Sequence, residues 1–275
     1  MFEMIEVKDM NTEEAVALCK QEYVEELHKV KCMPPMDGSM GASAFVGKER
    51  GKTASLLLEA VAEELVQDKI FSIAISRYAN NEEVNKSLCL NGFGIRCSDA
   101  VLSLQDYVFD EEDPAIVMEE LRGEEKWEIK ELHEKLADHL AKSPCFLPTQ
   151  EGDTERWLQN NVIKVFAARY EGKLAGFMAI DDEAETFLTE RADISNICGA
   201  YVLEEYRPKG VAKQLLDAMV KRCMEDGKSY LGVDYETINP TALRFWTKYF
   251  APYTYSFMRR IDERVRVKKG DGKEG

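Results

Sequence analysis

A stretch that pairs as a strand, Ile197 to Leu203, runs into a short charged turn and straight out into an amphipathic helix. The turn carries Arg207, Lys209 and Gly210. From Val211 the apolar positions are 211, 212, 215, 216, 219, 220 and 223, with Lys213, Gln214, Asp217 and Lys221 on the opposite face. A helix with one such stripe buries it against another layer. A glycine-containing turn between strand and helix also aims free backbone N–H groups and the positive end of the helix dipole at one point, which is the physics of a phosphate site. Arg207 and Lys209 add positive side chains where an anion would sit.

Composition narrows the class. A chain of 275 residues with 45% hydrophobic content suits two domains of ordinary size or one large one. No run reaches the roughly 18 apolar residues that cross a bilayer, and the start, MFEMIEVKDMNTEE, lacks the apolar stretch of a signal peptide. Cys19, Cys32, Cys89, Cys97, Cys145, Cys198 and Cys223 are scattered, odd in number and free of CxxC pairs. They read as reduced thiols with structural roles, and the expected setting is cytoplasmic. His28, His133 and His139 have no metal-ligand spacing, so no metal is expected. A net charge of −15 argues against nucleic acid as a partner.

Along the chain, periodicity predicts a helix over Leu56 to Val66, a strand over Phe71 to Ile75 and a helix holding Leu88, entered through Asn80 to Val84 and closed by Gly92-Phe93. Further on come a helix over 124–141, and a short one over Thr154 to Gln159 capped by Asp153. Strands Val162 to Tyr170 and Leu174 to Ile180 are joined by a turn at 171–173, and the next strand is Ile194 to Val202. Strand Tyr230 to Tyr235, a helix from Asn239 and closing strands over Pro252 to Val265 complete the pattern. The acidic, Pro-containing segment 109–122 reads as a linker, and residues 269–275 as a disordered tail. Gly47 to Thr53 resembles a nucleotide P-loop, but only three residues separate its glycines where four are needed, so a loop ahead of a helix is expected.

Arg207, Gly210 and Ala212, with Val202 and Glu205 before them, resemble the acetyl-CoA pyrophosphate loop, Arg/Gln-x-x-Gly-x-Gly/Ala, of the GNAT acetyltransferases. Downstream, Asn239, Ala242, Phe245 and Trp246 resemble that family's Asn-x-x-Ala-x-x-(Phe/Leu)-aromatic segment. The resemblance implies a mixed, mostly antiparallel twisted sheet flanked by helices (α/β, or α+β), and acetyl-CoA as co-substrate without a metal. A faint repeat at an offset of 157 pairs Leu58 with Leu215, Leu88 with Phe245 and Phe93 with Phe250. It implies two tandem copies: a degenerate domain over 1–115, lacking the glycine loop, and an acetyltransferase domain over 116–268.

The resemblance further implies that the co-substrate lies in a splay between the strands ending at Val202 and Tyr235. Ala200, Tyr201, Val202, Arg207, Lys209, Gly210, Val211, Ala212, Lys213, Asn239, Phe245 and Trp246 are the residues it implies as binding ones. The expected reaction is N-acetylation of a small-molecule primary amine by direct attack. The alternative is a non-catalytic acetyl-CoA or CoA sensor or scaffold. Where many family members place a tyrosine as general acid this chain has Trp246; Tyr249 is the replacement candidate, the alternative being that it simply packs and the thiolate leaves to solvent unassisted. Asp193, Glu204 and Asp234 are candidate bases, each also read as a surface carboxylate, with the acceptor pocket expected from loops around 143–155, the first domain and 250–258.

Overall fold

The described elements begin with α1 (Arg50–Gln67), β1 (Ser72–Tyr78), α2 (Glu82–Leu90), β2 (Gly94–Ser103) and β3 (Ile116–Leu121). A 3-10 turn at Gly123–Ile129 leads into α3 (Lys130–Ala141), α4 (Asp153–Gln159), β4 (Lys164–Tyr170), β5 (Lys173–Asp181) and β6 (Ile194–Val202). A second 3-10 turn, Glu204–Lys209, precedes α5 (Val211–Glu225), β7 (Tyr230–Glu236), α6 (Pro240–Trp246) and β8 (Ala251–Arg260). The computed structural model describes residues 49–67, 69–183 and 191–265. The chain divides into two compact units, Met1–Ser98 with Pro252–Gly275, and Asp99–Ala251.

In the first unit α1 and α2 pack through Ala54, Leu58, Val84 and Leu88, over Ile73, Phe93 and Phe257. β1 pairs antiparallel with β8, from Ser72↔Arg260 to Tyr78↔Thr254. The expected pair of closing strands is thus one strand within this segment. Helix α1 starts ahead of the apolar stripe at Leu56, so Gly51, Lys52 and Thr53 are helical. Gly51 serves packing: its amide donates to Glu83 Oε1 at 2.8 Å, and a Cβ there would stand 3.2 Å from Glu83. Gly47, Lys48 and the tail 269–275 lie outside the described residues.

In the second unit the strand order is β2-β7-β6-β5-β4-β3. Neighbours β3, β4, β5 and β6 are antiparallel, while β6 and β7 run parallel. Both faces are covered, which is why β4 and β5 are apolar almost throughout. Phe166, Ala168, Met178 and Ile180 face α5, whose Leu215, Leu216, Met219 and Val220 are fully buried. Burial of each such side chain contributes about 1.5–3 kcal/mol. The alternate positions Val165, Ala167, Phe177 and Ala179 pack with Ile129 and Leu132 at α3 and Leu158 of α4.

The segment 109–122, expected as a linker, lies inside this unit. Lys213 Nζ reaches the Val108 carbonyl at 3.4 Å, Gln214 Nε2 donates to the Glu111 carbonyl at 2.8 Å, and Lys221 pairs with Glu112 at 2.6 Å. The helix expected over 124–141 is broken at Ile129–Lys130, and its first part is 3-10. There the buried Lys126 donates to the Asn160 carbonyl at 2.8 Å, tying this turn to the end of α4. Asp153 is the first residue of α4 and not its cap; Gly152 holds that place at φ +82°, and Asp153 accepts from the Gln150 amide.

Candidate active site

The site starts from a gap in the sheet. Strands β6 and β7 pair from Ile194↔Tyr230 to Ile197↔Val233, and the register ends there. On its other side β6 stays paired with β5 to Gly176↔Val202, with a bulge where Ala179 faces Gly199 and Ile180 faces Ile197. Cys198 is the extra residue of that bulge. Bulges bend a strand and leave backbone groups outside the ladder, so β6 turns away from β7 over 198–202. Two glycines permit these close approaches: a Cβ on Gly232 would fall 2.1 Å from Asn196 Oδ1, and one on Gly176 2.7 Å from the Tyr201 carbonyl.

The turn beyond β6 ends at Gly210, at φ +78°, the left-handed region that glycine enters without strain. Gly210 brings no capping side chain to α5. Its carbonyl accepts from the Lys213 and Gln214 amides at 3.0 and 3.1 Å, and the leading amides of the helix stand ahead of these without an intrahelical acceptor. Across the gap, Asn239 caps α6: its Oδ1 accepts from the Thr241 amide at 3.2 Å, the Ala242 amide at 3.4 Å and the Thr241 hydroxyl at 2.7 Å.

Between these elements lies a cleft of about 280 Å³. Ala200, Tyr201, Val202, Arg207 and Ala212 line one side, and Asn239, Thr241, Ala242, Arg244, Phe245, Trp246 and Lys248 the other, with Leu136, His139, Phe177 and Met178 completing the wall. Eight of the expected residues, on two motifs far apart in the chain, therefore come together. Arg207 donates from Nε to the Val202 carbonyl at 3.1 Å and lies near Glu204 and over the Tyr201 ring.

Five expected residues fall outside the lining. Lys209 lies over the Tyr170 ring at 5.6 Å, Val211 is wholly buried under the helix, and Gly210 forms the turn. Lys213 pairs with Asp217 at 2.7 Å and stands over the Tyr107 and Tyr249 rings, its side chain 11% exposed. Tyr249 packs against Phe245 beside that pair. Burial first, with Asp110 and Asp217 adding, raises its phenol above the usual range against the lowering effect of Lys213. Trp246 is 6% exposed and packs edge-on against Phe245 and Phe250.

None of the three candidate bases lines the cleft. Asp193 is held by Arg191 at 2.8 Å, and Glu204 extends beside Arg207 with 84% of its side chain exposed. Asp234 acts electrostatically on Cys198, whose thiol burial and Asp181 push well above its ordinary range. Cys223 is pushed up to about 11 by burial, so neither thiol is a ready nucleophile at neutral pH. Among the described residues no three His, Cys, Asp or Glu side chains gather as a metal site, and the described cysteines are free. The 143–155 loop borders a separate depression of about 430 Å³ beside Glu134 and Asp138.

The sequence reading missed His139, Leu136, Arg244 and Lys248. The last two stand at i, i+4 and could have been read off a helical wheel with Phe245. Leu136 and His139, at i, i+3 on α3, face the cleft only because α3 packs beside β6, and no local pattern marks that.

Residues 128–251 match the family model described as the acetyltransferase (GNAT) family. Similar solved structures include an aminoglycoside acetyltransferase from an uncultured soil metagenomic sample, at 20% identity over 50% of this chain and 89% of that one, TM-score 0.39. A ribosomal-protein-alanine N-acetyltransferase from Brucella melitensis biovar Abortus 2308 gives 23% identity over 50% and 92%, TM-score 0.40. A GCN5-related N-acetyltransferase from Kribbella flavida gives 13% over 90% and 97%, TM-score 0.45. No curated protein matches the chain. The segment that matches, under half of the chain, is similar to acetyltransferase domains.

Proposed function

We propose that the acetyltransferase domain over residues 128–251 moves an acetyl group from acetyl-CoA to the primary amine of a small molecule by direct attack. The observation that carries this reading is the end of β6–β7 pairing at Ile197–Val233, which opens a cleft leading to the side-chain-uncapped start of α5. The bulged edge at 198–202 offers backbone groups to the amides of a pantetheine arm, as an added strand would. The backbone N–H groups of that edge also suit a developing oxyanion. The leading amides of α5, with Arg207 beside them, suit a pyrophosphate. Attack by the amine nitrogen on the thioester carbonyl breaks the C–S bond without a covalent enzyme intermediate, so no cysteine is required. The free thiols fit a reducing, cytoplasmic setting. Among the described residues no helix is long and apolar enough to cross a membrane.

The second reading, a CoA-binding sensor or scaffold, is favoured by one observation: the position where many family members carry an acidic phenol holds the packed indole of Trp246. Thiol release from acetyl-CoA with an amine panel separates the two. For the binding loop, calorimetry with CoA is the test. Arg207→Ala is expected to weaken binding by on the order of 1.5–3 kcal/mol, the worth of one charge-assisted hydrogen bond. Gly210→Asp is expected to abolish binding through backbone strain and like charge. Wild-type affinity in both variants removes the assignment.

A further inference from the structure

We propose that His139 is the general base that deprotonates the acceptor amine, an inference that rests on the transferase reading above. The cleft wall contains no aspartate or glutamate. Its titratable groups are His139, the phenol of Tyr201 and the cations Arg207, Arg244 and Lys248. Of these, an imidazole is the group suited to taking a proton near neutral pH. On its own helix the neighbouring charges are Lys135, Asp138 and Lys142.

The geometry leaves the ring free to act. His139 is half-buried, and its Nε2 lies 3.5 Å from Asn239 Oδ1, long for a hydrogen bond. That oxygen already accepts from the Thr241 amide, the Thr241 hydroxyl and the Ala242 amide. A carbonyl oxygen with two lone pairs has little left for a fourth donor. His139 is therefore held at the wall, next to Asn239, without a strong partner for its Nε2. The ring stands in the last turn of α3.

The step balances as follows. Nε2 takes one proton from the substrate ammonium; the freed nitrogen attacks the thioester carbonyl carbon; the C–S bond breaks as the N–C bond is kept. The second nitrogen proton ends on the departing sulfur. The products are the acetamide, CoA thiol and a protonated His139, which gives its proton to solvent.

The test is thiol release from acetyl-CoA between pH 5.5 and 9.5 with spermidine, sisomicin and an alanyl peptide amide, together with CoA calorimetry. His139→Gln keeps a side-chain donor for Asn239 but cannot take a proton, so it separates base from prop. It is expected to lower turnover at pH 7 by about 10²-fold or more. The rising limb of the wild-type pH profile is lost, and CoA affinity stays within twofold. Turnover within threefold of wild type with the limb unchanged overturns the inference. An equal loss of CoA affinity does so too, because it makes His139 a support for the α6 cap. A wild type that releases no thiol with any of the three amines overturns the transferase reading and this inference with it. CoA binding in that case still upholds the loop.

Discussion

Tyr249 lies three residues beyond Trp246, and although both rings meet Phe245, the fold gives them otherwise different neighbours. Trp246 contributes to the cleft wall, while Tyr249 stands with Lys213, whose amine also meets Asp217 and the Tyr107 ring. Tyr107 donates to Asp217 Oδ1 at 2.8 Å, and burial, then that carboxylate, raises its phenol far above the ordinary range. A phenol packed there is a support for α5 and α6. Tyr249→Phe is accordingly expected to leave turnover within about threefold of wild type, since general acid catalysis would be worth 10²-fold or more. A hundredfold fall in kcat with unchanged CoA affinity would restore the phenol as proton donor. Helical phase puts Tyr249 on roughly the face of Trp246, but phase alone says nothing of which neighbour fills the space beyond.

At the scale of elements, the site depends on how closely β6 and β7 run before they part. Gly232 faces Asn196 across the four paired positions, and a methyl group at 232 would sit 2.1 Å from the buried Asn196 Oδ1. Gly232→Ala is expected to destabilise the protein by about 1–3 kcal/mol through overpacking. Chemical denaturation checks this, and Gly232→Ala combined with Asn196→Ala should recover part of the stability by removing the clashing oxygen. If the single variant unfolds at the wild-type midpoint, the strand spacing does not need a glycine. Ile194–Val202, the helix from Val211 and the strand from Tyr230 were legible because apolar periodicity and a glycine punctuate them. The break at Ile129–Lys130 was not, since a 3-10 turn and an α-helix bury nearly the same positions over so short a span.

For the whole molecule, the order helix–strand–helix–strand occurs over 50–103 and again over 211–260. Asn81 and Asn239 cap the second helix of each set, accepting from the amides of Val84 and of Thr241 and Ala242. Two tandem copies would give this order. In the first set Gly51 lies within α1 against Glu83, without the left-handed φ of Gly210. One acetyl-CoA per chain is therefore expected by calorimetry, and a stoichiometry near two would show that the first copy binds as well. By itself the sequence determined the glycine turn at Gly210, the start of a helix at Asn239 and the layers they belong to, because these are set within a few residues by glycine freedom and periodicity. Tertiary structure decided the rest. The bulge at Cys198, the early end of β6–β7 pairing and the arrival of His139 at the cleft depend on segments distant in sequence. Register and close packing between such segments are properties of pairs, and no single stretch of chain carries them.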